Sequence, residues 1–143
     1  MNKKLLPLAL VFVSMSGMAG EFSVTKSKMP YRIVVSPGAG GASFPIGYMD
    51  TRPRAMYTLE SIDWSTTGFP QSVGERVELC YASGSNPDSC EEIAPNSSGT
   101  SYRFKGELFR PGSIAVIRHW SAAGGARNSQ PSGEDRVRFN LSY

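Results

Sequence analysis

The chain has one histidine, two cysteines, no strong excess of either charge and no long apolar run beyond residue 19, and each of these absences removes a class of function. Two thiols and a single imidazole cannot fill a tetrahedral zinc site, so no metal is expected. No Gly-x-Ser-x-Gly elbow is present, and His119 has no second histidine to work with, so the chain is not expected to be an enzyme. The Gly38-Ala39-Gly40-Gly41 cluster lacks the Gly-Lys-Ser/Thr ending of a phosphate cradle and reads as a loop, so no nucleotide or other cofactor is expected. No stretch after residue 19 is long and apolar enough to cross a bilayer, so membrane insertion is not expected. Helical periodicity is missing as well.

What is present begins with an export pattern. Lys3 and Lys4 precede the apolar stretch Leu5 to Val13, and Gly17-Met18-Ala19 supplies the small residues that a signal peptidase requires. Residues 1–19 therefore read as a signal peptide, and cleavage removes 19 of 143 residues to leave 124, the size of one domain. Two lysines leave with it, so the formal charge of +3 falls to +1. A nearly neutral surface attracts phosphates weakly, so no nucleic-acid partner is expected. The expected location is outside the cytoplasm: export through the periplasm to the cell surface or the medium.

In an oxidising compartment Cys80 and Cys90 are expected to pair. The residues between them are rich in turn formers, so the bond should clip a hairpin and stabilise the fold by about 2–3 kcal/mol.

The mature chain alternates with a period of two. Tyr31, Ile33 and Val35 share a face; so do Tyr57 and Leu59, with Met56, Ile62 and Trp64 opposite; so do Val77, Leu79 and Tyr81. Tyr102, Phe104 and Leu108 form a fourth run, and Ile114 to Trp120 a fifth. The clearest is the last, with Val137, Phe139, Leu141 and Tyr143 on one face and Arg136, Arg138, Asn140 and Ser142 on the other. Turn signals such as Pro37-Gly38, Pro111-Gly112 and Pro131-Ser132-Gly133 separate the runs. Six or seven short strands at this spacing predict an all-β antiparallel sandwich of immunoglobulin-like type. Residues 37–47 and 121–135 read as its longest loops.

Glu60 and Asp63 fall on opposite faces by simple alternation and make no pair for glycoside hydrolysis. Tyr48, Trp64 and Trp120 lie near strand ends, where rings either close the core or bind sugar or protein. A self-contained binding module built on them, such as a toxin binding subunit or an inhibitor, is the alternative function.

The terminal segment, Asp135 to Tyr143, resembles the last strand of fimbrial subunits exported by the chaperone–usher pathway, as do the leader and the chain length. That resemblance implies a sandwich short of one strand, whose open groove is filled first by a periplasmic chaperone and then by the N-terminal extension of the next subunit. It places Val137, Phe139 and Leu141 in the acceptor groove, with Tyr143 at the chaperone-bound end. The donor is residues 20–30, with Phe22 and Val24 as anchors, and residues 31–143 form the sandwich. The implied partners are a chaperone, an usher, neighbouring subunits and a host glycan or protein receptor. Here Lys26 and Lys28 replace apolar anchors, Tyr143 is last instead of next to last, and the cysteines clip a middle hairpin, which favours a minor, tip or divergent subunit.

Overall fold

The computed structural model describes residues 20–84, 87 and 89–143, so the expected leader lies outside the described residues. Nine strands run in chain order: β1 (Glu21–Lys28), β2 (Gly38–Pro45), β3 (Tyr57–Ser65), β4 (Arg76–Ala82), β5 (Ser89–Ile93), β6 (Ser98–Ser101), β7 (Leu108–Phe109), β8 (Ile114–Ser121) and β9 (Asp135–Ser142). They form two antiparallel sheets, one ordered β1-β9-β3-β6 with β7 also on β3, the other β2-β8-β4-β5. The all-β sandwich expected from the alternation is the observed class.

Period-two sequence explains the layers. Val137, Phe139 and Leu141 of β9, Ala115 and Ile117 of β8, and Val77, Leu79 and Tyr81 of β4 all turn inward and form one buried cluster. Their neighbours Arg136, Arg138, Glu78 and Arg118 turn outward, which keeps charge in water. The Tyr81 hydroxyl donates to the Leu108 carbonyl at 2.6 Å, and burial pushes its pKa up to about 12, so it stays protonated and keeps that bond.

The implied acceptor groove is not open. β9 pairs with β3 along one edge and with β1 of the same chain along the other. Val137, Phe139 and Leu141 are buried by that arrangement, and Tyr143 ends the strand with its ring edge-on to Tyr57 at 5.5 Å. The segment expected to be donated to another subunit is thus the strand that completes its own: Phe22 stacks on Tyr57 at 5.4 Å and Val24 is buried. Two anchors suffice because the inward row then leaves the core. Lys26 reaches out to Asp50 at 2.9 Å, in a short 3-10 turn, Tyr48–Asp50, on the sandwich flank.

Four local readings change. The run from Tyr31 to Val35 is no strand; it makes one bridge, Ile33 to Ser129, and otherwise lies along the β2 edge through the Tyr31 amide and the Gly41 carbonyl, 2.8 Å apart. Residues 38–45 are a strand and not a loop. Gly40 and Gly41 are needed there because a Cβ would strike the Tyr31 and Ile117 carbonyls respectively. Residues 102–107 form a turn between β6 and β7. In β3 the register slips between Leu59 and Ser61, so Ile62 and Trp64 join the inward face of Tyr57 and Leu59. The same bulge puts Glu60 and Asp63 together on the outer face, where they accept from Ser142 and Asn140 of β9.

A closed seam makes a quantitative expectation. Phe139→Ala should lower unfolding free energy by about 3–5 kcal/mol in urea titrations, because it empties the centre of the core. Phe22→Ala, at the half-buried rim, should cost only about 1–2 kcal/mol.

Candidate binding surface

His119 sits inside the sandwich and is inaccessible to solvent. Its place in β8 turns it inward with Ala115 and Ile117, two residues before the strand ends at Ser121. Asp135, the first residue of β9, meets Nε2 at 2.7 Å from the opposite sheet, and Glu75, just before β4, meets Nδ1 at 2.9 Å. Asp135 also accepts from the Thr67 amide at 2.9 Å, Glu75 from the Phe69 amide at 3.3 Å, and the Phe69 ring lies 4.9 Å from the imidazole. Burial by itself would lower the His119 pKa. The hydrogen bonds and charges of Asp135, and then of Glu75, outweigh it and raise the pKa above the ordinary imidazole value. Both ring nitrogens are occupied and the ring is shielded, so this is a bolt between the sheets and not an exposed base.

The three aromatics named from sequence do not converge. Tyr48 stands out from the flank turn at 86% exposure. Trp64 is half-buried against the core, with its ring over Gly99. Trp120 lies on the outer face of the other sheet under the Arg76 guanidinium, 5.8 Å from the ring, and its Nε1 is buried without a partner among the described residues. A stacking platform for a sugar needs rings on one surface, and these occupy three.

The disulfide is present. Cys80 and Cys90 face each other directly across β4 and β5, with Cα atoms 4.0 Å apart. Glu78 lies near both sulfurs, but the disulfide uses the thiol groups and leaves no thiolate for a metal.

A different surface stands out. Between β1 and β2 the chain buries Pro30 and Ile33 and turns Met29, Tyr31, Val34 and Val35 outward, with Tyr31 at 75% exposure. Lys28, Met29, Tyr31, Arg32, Val34 and Gln130 line a groove of about 650 Å³ there. The groove rests on the long β8–β9 loop, since Asn128 donates to the Val34 carbonyl at 3.1 Å and Ser129 to that of Ile33 at 2.8 Å. The two ends of that loop lie beside the His119–Asp135 contact. Sequence reasoning passed over Met29, Arg32 and Val34, and read Lys28 only as a charge in place of a donor anchor. The available signal was the adjacent pair Val34-Val35 after Met29-Pro30, which strict alternation cannot bury.

No protein-family model and no curated protein sequence matches this chain. The fold defines a two-sheet antiparallel β-sandwich. A solved structure titled "Crystal Structure of FLHE" is similar to it, with a TM-score of 0.61 and 22% identity over 87% of this chain and 100% of that one. Likeness at that identity is a likeness of fold.

The bolt carries a pH signature. With its folded pKa raised, His119 contributes stability that is fully present below the unfolded imidazole value of about 6.5 and is lost as pH rises through the folded value. Urea midpoints should therefore fall from pH 6 into the alkaline range, and His119→Gln should flatten that slope. Glu75→Gln should move the fall to lower pH. Histidine NMR titration checks the assignment.

Proposed function

We propose that the protein is an exported, self-contained β-sandwich that works by binding another protein, without catalysis and without needing a donated strand. The observation that carries this is the position of β9, flanked on both edges by strands of its own chain with its apolar row covered. What is left exposed and apolar gathers instead on the β1–β2 flank, in Met29, Tyr31, Val34 and Val35. Export is supported by the residue 1–19 pattern and by the Cys80–Cys90 disulfide, which persists in an oxidising compartment. Among the described residues no helix is long and apolar enough to cross a membrane. A protein ligand is favoured over a glycan because Tyr48, Trp64 and Trp120 are dispersed while the groove is apolar and basic.

One observation keeps the fimbrial reading as a second. The strand that closes β9 is N-terminal and antiparallel to it, so two copies could exchange β1 as fimbrial subunits exchange donors. Chaperone, usher and neighbouring subunits would be its partners.

The two readings separate in one experiment. The purified protein, with no chaperone or peptide added, should be a monomer at every concentration tested by light scattering, with the β9 amides protected in hydrogen exchange. Exchange of β1 would instead give slowly dissociating oligomers, and an unprotected β9 would defeat the self-contained reading outright.

A further inference from the structure

The sandwich has an open edge beside the groove, and its phase follows from the ladder. Gly20 and Tyr143 exchange both backbone hydrogen bonds, each at 3.2 Å. In an antiparallel pair such exchanges recur at alternate residues, so Phe22, Val24, Lys26 and Lys28 bond to β9. The N–H and C=O groups of Glu21, Ser23, Thr25 and Ser27 then point the other way. No strand among the described residues pairs with that side, and all four residues are exposed.

Edges of this kind are normally blunted by proline, a bulge, shortness or an inward charge. β1 has eight residues, no proline and no register shift against β9. Its one blunting device is charge, in Lys26 and Lys28, and Lys26 is paired with Asp50. The Asp50 contact also brings the turn carrying Tyr48 and Met49, 86% and 98% exposed, to the same flank.

Charge is graded along the edge. At one end stands Glu21; at the other Lys28 and Arg32 border the groove, and neither cation has a carboxylate within 4.0 Å among the described residues. Lys28 lies over the Tyr31 ring at 6.0 Å, so the cation and the apolar wall form one surface.

We propose that this edge and groove together receive an extended segment of a partner protein, added antiparallel to β1 as a further strand. Its N-terminal half is acidic and carries an aliphatic side chain into the groove, and its C-terminal end is neutral or basic against Glu21. Backbone hydrogen bonds to Ser23, Thr25 and Ser27 supply affinity, and the groove supplies selection. The antiparallel course continues the all-antiparallel pairing of the sheet, and the charge gradient then sets the acidic half at the segment's N-terminal end. The proposal rests on the reading of the protein as a binding module. It can fail while the isolated chain remains a protected monomer, so the two are separable.

The probe is a fluorescein-labelled octapeptide that alternates valine with polar residues, acidic in its first half and ending in lysine. Its counterparts are a charge-reversed version and one N-methylated on the amides that would face β1. Anisotropy titration should show saturable binding of the first peptide, at least about tenfold tighter than either counterpart. Hydrogen exchange should show new protection at Ser23, Thr25 and Ser27. Lys28→Glu with Arg32→Glu should reverse the preference between the two charge patterns. Ser23→Pro and Thr25→Pro should each weaken binding by about tenfold or more, since each removes only an outward N–H. The N-methylated probe tests the same bonds with the protein unaltered should a proline variant fold poorly. Equal affinity for both charge patterns, indifference to N-methylation, or no saturation by about 1 mM would overturn the proposal. So would protection of Ser23 and Thr25 that grows with protein concentration alone, because the occupant would then be a second copy.

Discussion

The constraint on which the structure depends is that β9 must have a strand on each side. Its inward residues, Val137, Phe139 and Leu141, form part of the buried cluster between the two sheets. That row is kept from water by the strands on either side of β9 together with the opposite sheet that covers it. β3 supplies one edge and β1 the other, even though β1 stands some 110 residues earlier in the chain than its partner. This long-range pairing turns the N-terminal segment from an appendage into a wall of the core. Phe22 bears on Tyr57, and Tyr57 in turn meets Phe109 and Tyr143, so aromatic contacts carry the closure from β1 to the end of the chain.

Closure at the opposite end is ionic. There the inward row of β8 changes from Ile117 to His119 and then Ser121, and β9 begins with Asp135. A buried charge with one partner would be destabilising; His119 has two carboxylates, each of which also accepts from a backbone amide. The cluster joins β8 to β9 across the interlayer space and the pre-β4 segment to both. Because the β8–β9 loop leaves and returns beside it, the same bolt fixes the platform on which Ile33 and Val34 are hydrogen bonded. The two closures are therefore divided along the sandwich: aromatic closure lies by the chain ends, ionic closure by the loop that carries the groove.

Much of the layering was legible because it is a local property. Val77 to Tyr81, Ile114 to Trp120 and Val137 to Leu141 each show an inward side in their own residue order, and Cys80 and Cys90 mark their hairpin by the turn formers between them. What escaped were features decided by distant neighbours. Gly38 to Gly41 look like a loop because glycine has little strand preference, yet they are required where the Tyr31 and Ile117 carbonyls press against β2. The alternation in β3 is misread until the bulge after Leu59 is known, since one extra residue reverses every later side. Likewise, nothing near His119 in sequence announces Glu75, 44 positions away. The identity of the strand beside β9 belongs to the same category. Alternation says that a strand has an apolar face, and only the assembled sheet says whose backbone lies next to it.

The four outer edges of the sandwich are not equally open, which is why the proposed binding is placed on the β1 flank. The β2 edge is overlaid by the Tyr31–Ile33 segment, which takes up the Gly41 carbonyl and abuts Gly40. β5 is five residues long and carries Glu91 and Glu92, and Glu91 accepts from the Ser101 hydroxyl of β6 in the facing sheet. Beside β3, the outer edge is divided between β6, with four residues, and β7, with two, so it offers no long continuous row. β1 carries charge too, in Glu21, Lys26 and Lys28, but it is long, regular and uncovered along Glu21, Ser23, Thr25 and Ser27. Shortness, charge and overlay are the devices by which sheets refuse a stranger, and three edges use them. Three protected edges and a fourth left open beside an apolar, cationic groove would, on the proposed reading, confine strand addition to one place, and such confinement is what separates a binding edge from an aggregating one.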